Sequence, residues 1–247
     1  MVMIHGGSWQ ARFSKIVMRS LARDLSRRGW AVWNIEYRRV GNGGGWPATF
    51  ADVAAAIDHL AQVEHPALDL SDVSLVGHSA GGHLALWAAS RANLPPGAPG
   101  ELPGGEPVVV LRRVISMAGA CDLAGAYARK PGGGAAGLLM GGSPEQHPER
   151  YDAGDPMRLL PLGIPALLVH GTLDETVSVE RSRSYQQAAL AAGDHLELVE
   201  IAGEAGRHRA HIDPRSAAWE IVTRWLAEEH PVQTTRTPAL DRASGRS

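Results

Sequence analysis

Short apolar runs alternate with longer amphipathic stretches along this chain. Residues 1–4 (MVMI), 31–35 (AVWNI), 73–76 (VSLV), 114–117 (VISM), 166–169 (ALLV) and 196–201 (LELVEI) each read as a strand. The stretches between them carry a helical period. Val17, Leu21 and Leu25 fall on one stripe, and residues 50–63 are rich in alanine. Residues 80–91 follow a strand directly, and residues 180–191 and 214–229 complete the set. In the last, Ile221, Val222, Trp225 and Leu226 recur at helical spacing, and Pro214 suits a first turn. Strands alternating with helices of this length predict βαβ units and a parallel sheet, hence an α/β fold.

Three segments interrupt the pattern. Residues 93–107 are rich in proline and glycine and read as a loop. Residues 130–148 contain PGGG, GG and SPEQHP and read as a long flexible loop, open to a lid or binding role and equally to a solvated excursion. Residues 231–247 have little to bury and read as a disordered tail. The expected organisation is one catalytic domain over 1–230 followed by that tail. A length of 247 residues with 44% hydrophobic side chains is enough for one sizeable core.

Charge and cysteine content narrow the partners. A formal net charge of −2 gives no reason to expect nucleic acid or an acidic membrane. No apolar run approaches the roughly 18 residues of a membrane span. The first residues show no charged segment followed by an apolar one, so no signal peptide is visible. Cys121 is the single cysteine, which excludes an intramolecular disulfide and makes a reducing, cytoplasmic compartment the simpler expectation. It reads as a buried structural thiol rather than a nucleophile. Oligomeric state is left open.

The most informative stretch is VSLVGHSAGGHLALWAA. Within it, Gly77-His78-Ser79-Ala80-Gly81 matches Gly-x-Ser-x-Gly between a predicted strand and a predicted helix. So tight a turn needs neighbours almost without side chains, and it lifts the Ser79 hydroxyl to the carboxyl end of a central strand. The helix start beneath it favours a developing anion. Ser79 is therefore the expected nucleophile. A serine hydroxyl needs a general base, and the base needs an orienting acid.

The order Ser, acid, His along the chain locates the other two. In PALLVHGTLDETV a strand ends near His170, and Asp174 follows in the turn, on the same rim as Ser79. Its neighbour Glu175 reads as a solvated loop acid. GEAGRHRAHIDP offers His208 and His211 between the last strand and the last helix. His208 is favoured as the base, because His211 sits nearer the helix start, where it could cap the helix or pair with Asp213. His78 and His83 flank the turn and could line a pocket or simply pack. His59, His65, His147, His170, His195 and His230 show no metal-type clustering, so neither a metal nor a cofactor is expected. An oxyanion needs backbone N–H donors. Ala80 would give one, and Gly7 and Ser8 of the opening HGGSW loop the others, since glycine lets the backbone come close. Trp9, Trp46 and Tyr37 could form an aromatic wall or belong to the core.

Taken together, HGGSW, GHSAGGH, HGTLDETV and HxxxIDP resemble the α/β-hydrolase superfamily, and most closely its esterase/lipase-like branch with the HGGxW loop also found in kynurenine formamidases. The resemblance runs from Met1 to about residue 227. WNIEYRRVGNGGGWPATFADVAAAIDHL is similar to that branch too, and implies that the Tyr-Arg-Arg segment packs under the active site. Where the branch has an aromatic or aliphatic residue and an acid after the histidine, this chain has Arg209, Ala210 and His211, and its GEAGR loop looks longer. The resemblance also implies an eight-stranded sheet, of which this chain would open in the third strand. The expectation is therefore an N-terminally truncated form with six parallel strands, whose natural start lies upstream and whose 31–35 strand is left as an apolar edge, an aggregation liability. The implied activity is hydrolysis of a small carboxylic ester through an acyl-enzyme. An aryl formamide substrate is the alternative. A prolyl-oligopeptidase-like peptidase, which would usually carry an accessory domain, and an inactive relative rank below both.

Overall fold

The computed structural model describes residues 1–228 and His230. Residue 229 and residues 231–247, on which the expected tail falls, lie outside the described residues. The six expected strands form one parallel sheet in the order β2-β1-β3-β4-β5-β6. They are β1 (Val2–Ile4), β2 (Trp33–Ile35), β3 (Val73–His78), β4 (Leu111–Met117), β5 (Ala166–Gly171) and β6 (Leu196–Ile201). Among the described residues β2 and β6 are the two edges.

Alternation along each strand sends neighbouring side chains to opposite faces. Val2, Ile4, Leu75 and Leu168 join one buried cluster, while Met3, Val76, Leu167 and Val169 join another. Helices cover both faces, which is why these strands are apolar runs rather than alternating ones. On one side lie α1 (Arg19–Arg27), with Leu21 and Leu25 fully buried, and α8 (Ala217–Leu226), with Trp219 and Val222 fully buried. The Trp219 indole N–H donates to the Asp24 carboxylate at 2.8 Å and ties these two helices together. On the other side lie α2 (Ala48–Asp58), α3 (Ala80–Ala89) and α7 (Glu180–Ala191). Pro214 does not sit in the first turn of α8. That helix starts after Ser216, whose side chain accepts the Trp219 N–H and satisfies a donor that proline would have left to water.

The segment read as a flexible loop is partly helical. After α4 (Leu123–Ala128) the chain makes a tight turn and enters α5 (Gly134–Met140); α6 (Pro148–Gly154) follows. Gly132, Gly133 and Gly134 all take positive φ, at 61°, 75° and 53°. They supply the left-handed turn, and the helix after them is held by burying Ala136, Leu139 and Met140 in the core. Tertiary packing thus overrides the breaker composition.

Asp155 links these pieces. At 1% exposure it accepts the Ala124 N–H at 3.0 Å and the Met157 N–H at 3.2 Å. Burial nonetheless pushes its carboxyl from an ordinary 3.8 up to about 6. The native state therefore keeps a proton that the unfolded chain has lost, so this group's contribution falls as pH rises from 3.8 to about 6. The full cost above that window is roughly 3 kcal/mol. In urea unfolding, Asp155→Asn is expected to gain up to about that much on the wild type as pH rises from about 4 to about 7. Parallel pH profiles for the two proteins would refute the assignment.

Candidate active site

Four loops meet at the carboxyl ends of the strands, where an open α/β sheet presents its crevice. The first follows β3. Gly77 and Gly81 are required by the approach of backbone to backbone. A Cβ on Gly77 would lie 2.0 Å from the Gly81 carbonyl oxygen, and one on Gly81 would lie 2.0 Å from the Ile4 carbonyl oxygen. Ser79 between them is held at φ 56°, ψ −120°, a strained conformation for a residue with a Cβ. Its N–H donates to the Met117 carbonyl at 2.8 Å, which fixes the turn to β4.

The second and third loops follow β5 and β6. The structure brings Ser79, His208 and Asp174 into one hydrogen-bonded chain. His208 Nε2 lies 2.9 Å from Ser79 Oγ, and His208 Nδ1 lies 2.7 Å from Asp174 Oδ2. Asp174 Oδ1 accepts the N–H groups of Thr176 and Val177, both at 2.9 Å. Burial raises the Asp174 carboxyl, but hydrogen bonds from His170, His208 and the Val177 N–H outweigh it and hold it below the usual carboxylate range. With the acid ionised, Nδ1 of His208 carries the proton and Nε2 faces the hydroxyl as an acceptor.

The His208 loop is seated by a glycine pair. A Cβ on Gly171, at the end of β5, would lie 1.5 Å from the Gly206 carbonyl oxygen. No small shift accommodates that. Gly171→Ala is expected to cost about 1–3 kcal/mol or more of stability. It should also lower activity per folded molecule, because the displaced segment carries His208. Denaturation and active-site titration on one preparation check this; full activity at unchanged stability would contradict the packing argument.

Three further histidines surround this chain. His170 was not singled out by sequence. Its Nε2 donates to the Val177 carbonyl at 2.8 Å and lies 3.4 Å from Asp174 Oδ2, so it braces the acid from below. The clue was its position four residues before Asp174 at the end of a strand. His78 Nε2 donates to the His208 carbonyl at 3.1 Å. Burial, followed by the neighbouring His208 and His211, pushes its pKa down to about 3, so it is neutral. His211 is fully buried, and its Nδ1 faces the Arg207 carbonyl at 3.3 Å. It neither caps α8 nor pairs with Asp213.

The fourth loop follows β1. Ser8 and Trp9 both adopt positive φ, at 52° and 54°. The Tyr37 hydroxyl donates to the His5 carbonyl at 2.8 Å, and the two rings stack at 4.4 Å. His5 Nε2 lies 2.7 Å from the Glu36 carboxylate, which Arg39 also engages. Tyr37 and Arg39 of the Tyr-Arg-Arg segment thus brace this loop, while Arg38 pairs with Asp52 on α2.

Ser8, Trp9, Ser79, Ala80 and Asp174 line one cavity of about 530 Å³. Gly7 is not among its lining residues; a Cβ on it would strike Phe13, so this glycine serves the turn itself. Of the three aromatic side chains considered, Trp9 alone lines this cavity. Tyr37 is buried beneath the loop, and Trp46 borders a separate surface groove beside Pro95 and Pro96. His78 and His83 do not line it either. His83 packs edge-on against Trp9 and Phe50, and burial brings its pKa down to about 4. Cys121 is fully buried, and burial pushes its thiol up to about 12, which leaves no thiolate for chemistry. The cavity's far wall comes from the segment after α4, including Lys130, Gly133 and Ala136, so part of the 130–148 stretch borders the site. Among the described residues no group of three His, Cys, Asp or Glu side chains is arranged to hold a metal ion, and no helix is long and apolar enough to cross a membrane.

The BD-FAE family model matches residues 1–189. Esterase LipC of Mycobacterium tuberculosis (strain ATCC 25618 / H37Rv) is 29% identical over 207 residues, covering 80% of this chain and 51% of that protein. The chain thus spans about half the length of the curated relative it matches. Among solved structures, a truncated form of a carbohydrate esterase from gut microbiota superposes with a TM-score of 0.77 at 23% identity, over 91% of this chain and 83% of that one. Esterase B from Lactobacillus Rhamnosis (HN001) gives 0.75 at 20% identity, over 91% and 73%. These likenesses show the α/β-hydrolase fold.

Proposed function

The chain belongs to the BD-FAE family, and from that premise we propose that it is a serine hydrolase of small carboxylic esters. One observation carries the reading: a hydroxyl, an imidazole and an ionised carboxylate hydrogen-bonded in series at 2.9 Å and 2.7 Å, opening on a cavity. The esterase names of the relatives agree with it.

Ser79 Oγ attacks the acyl carbonyl while His208 Nε2 takes its proton. Asp174 keeps the imidazole in the Nδ1–H form and stabilises the imidazolium that results. The tetrahedral oxyanion is met by the N–H of Ala80, a first-turn donor that α3 itself leaves unpaired, and by the N–H of Ser8. His208 then protonates the leaving alcohol, and water repeats the sequence in reverse to release the acid.

Turnover of para-nitrophenyl acetate by the wild type, with Ser79→Ala as control, tests the proposal. No difference between the two proteins would overturn it. N-formylkynurenine assayed in parallel separates an ester preference from a formamide one: a higher kcat/KM on the formamide would replace the ester reading.

A further inference from the structure

The cavity walls carry an uneven charge. The lining includes three cations, Arg129 and Lys130 just after α4 and Arg181 on α7, against two carboxylates, Asp174 and Glu175. Two of these five are already neutralised. Asp174 is taken up by His208, His170 and backbone N–H groups. Arg181 is buried and bonded to the Asp122 carboxylate and the Gly125 carbonyl. That bond fastens α7 to the first turn of α4 and so fixes the wall from which Arg129 and Lys130 project. Arg129 and Lys130 are exposed and pair with no carboxylate among the described residues. Glu175 is the one carboxylate lining the cavity besides the triad acid, and it is exposed, with the Arg207 guanidinium acting on it from outside.

A concave site with two uncompensated cations on one wall concentrates anions and orients them. Guanidinium and ammonium groups at a wet rim act on carboxylates through charge-assisted hydrogen bonds. A cavity of about 530 Å³ has room for an ester with a further substituent. We infer that the site selects esters that carry a carboxylate away from the scissile bond, with Arg129 and Lys130 receiving it. The inference rests on the ester-hydrolase reading above and adds the substrate's charge class to it. Neither cation reaches the reacting atoms in this role; they determine specificity.

Two matched pairs of probes test it. Para-nitrophenyl hemisuccinate against para-nitrophenyl butyrate places the carboxylate on the acyl side. Para-acetoxybenzoate against para-acetoxybenzamide places it on the alcohol side. At low ionic strength the carboxylated member of at least one pair is expected to show about tenfold higher kcat/KM, carried by KM. That preference is expected to shrink as salt screens the rim. In the double variant Arg129→Gln/Lys130→Gln the ratio within that pair should fall to about twofold or less. Cleavage of the neutral esters with no preference for a charged partner would overturn the inference and leave the esterase reading standing. So would a variant that loses both members of the pair by the same factor, which marks a structural effect. Failure to cleave any of the four probes would remove the esterase reading itself, and the inference with it.

Discussion

Ser79→Ala is expected to lower kcat on para-nitrophenyl acetate by about 10⁴-fold or more, about 5.5 kcal/mol of transition-state stabilisation. The change removes the atom that lies 2.9 Å from His208 Nε2 and leaves everything else in the site in place. The His208 ring keeps its 2.7 Å bond to Asp174, and the cavity and the first-turn N–H of α3 remain. What survives should therefore be the weak acceleration that binding and oxyanion donors give without a nucleophile. Stability should change little, since alanine carries the same Cβ through the strained φ of 56°. Ser79→Gly is the informative companion. It should be as inactive, yet more stable, because glycine takes that conformation without strain. Unfolding curves and initial rates on the three proteins decide this. A Ser79→Ala protein within about tenfold of wild-type kcat would end the case for a serine nucleophile.

How much of this could be read from the sequence depends on the range of the determining contact. The inner strands were legible because burial on both faces leaves an apolar run, as in ALLV of β5, whereas the edge strand β6 was legible from LELVEI, in which Glu197 and Glu200 are exposed. Ser79 was legible because its glycine requirements lie within two residues of it. Asp174 was legible from its place after a strand. The support beneath Asp174 was not, because His170 becomes meaningful only when the β5 loop folds back over it. The helix α5 was hidden for a related reason. Its glycines resemble a linker, and only the buried side chains of Ala136, Leu139 and Met140 show why the segment is ordered against the core. For Arg129 and Lys130 the sequence offered only that residues 130–148 could be a binding loop; that they line one cavity with Arg181, some fifty residues away in sequence, shows only in the fold.

The choice between His208 and His211 is the other place where the sequence ran short, and it yields the second large prediction. His208→Ala is expected to reduce kcat by about 10⁴-fold or more, comparable to the serine variant, because nucleophile and base act as one unit and their losses do not add. The double variant Ser79→Ala/His208→Ala should therefore be no slower than either single one. His211→Ala should behave differently. This ring is fully buried, and burial, then the neighbouring His170, pushes its pKa down to about 4, which makes it a weak base, and its Nδ1 faces the Arg207 carbonyl, not Ser79. It holds the His208 turn by packing 6.2 Å from the His78 ring and 6.5 Å from the His170 ring. Removing it should cost about 1–3 kcal/mol of stability, while the folded enzyme keeps a pH–rate profile of unchanged shape. The discriminating measurement is kcat per titrated active site against pH for both variants. A His211→Ala protein that folds normally but loses activity as deeply as His208→Ala would reassign the base. The 2.9 Å approach of His208 to Ser79 would then have to be a ground-state contact that the reaction does not use.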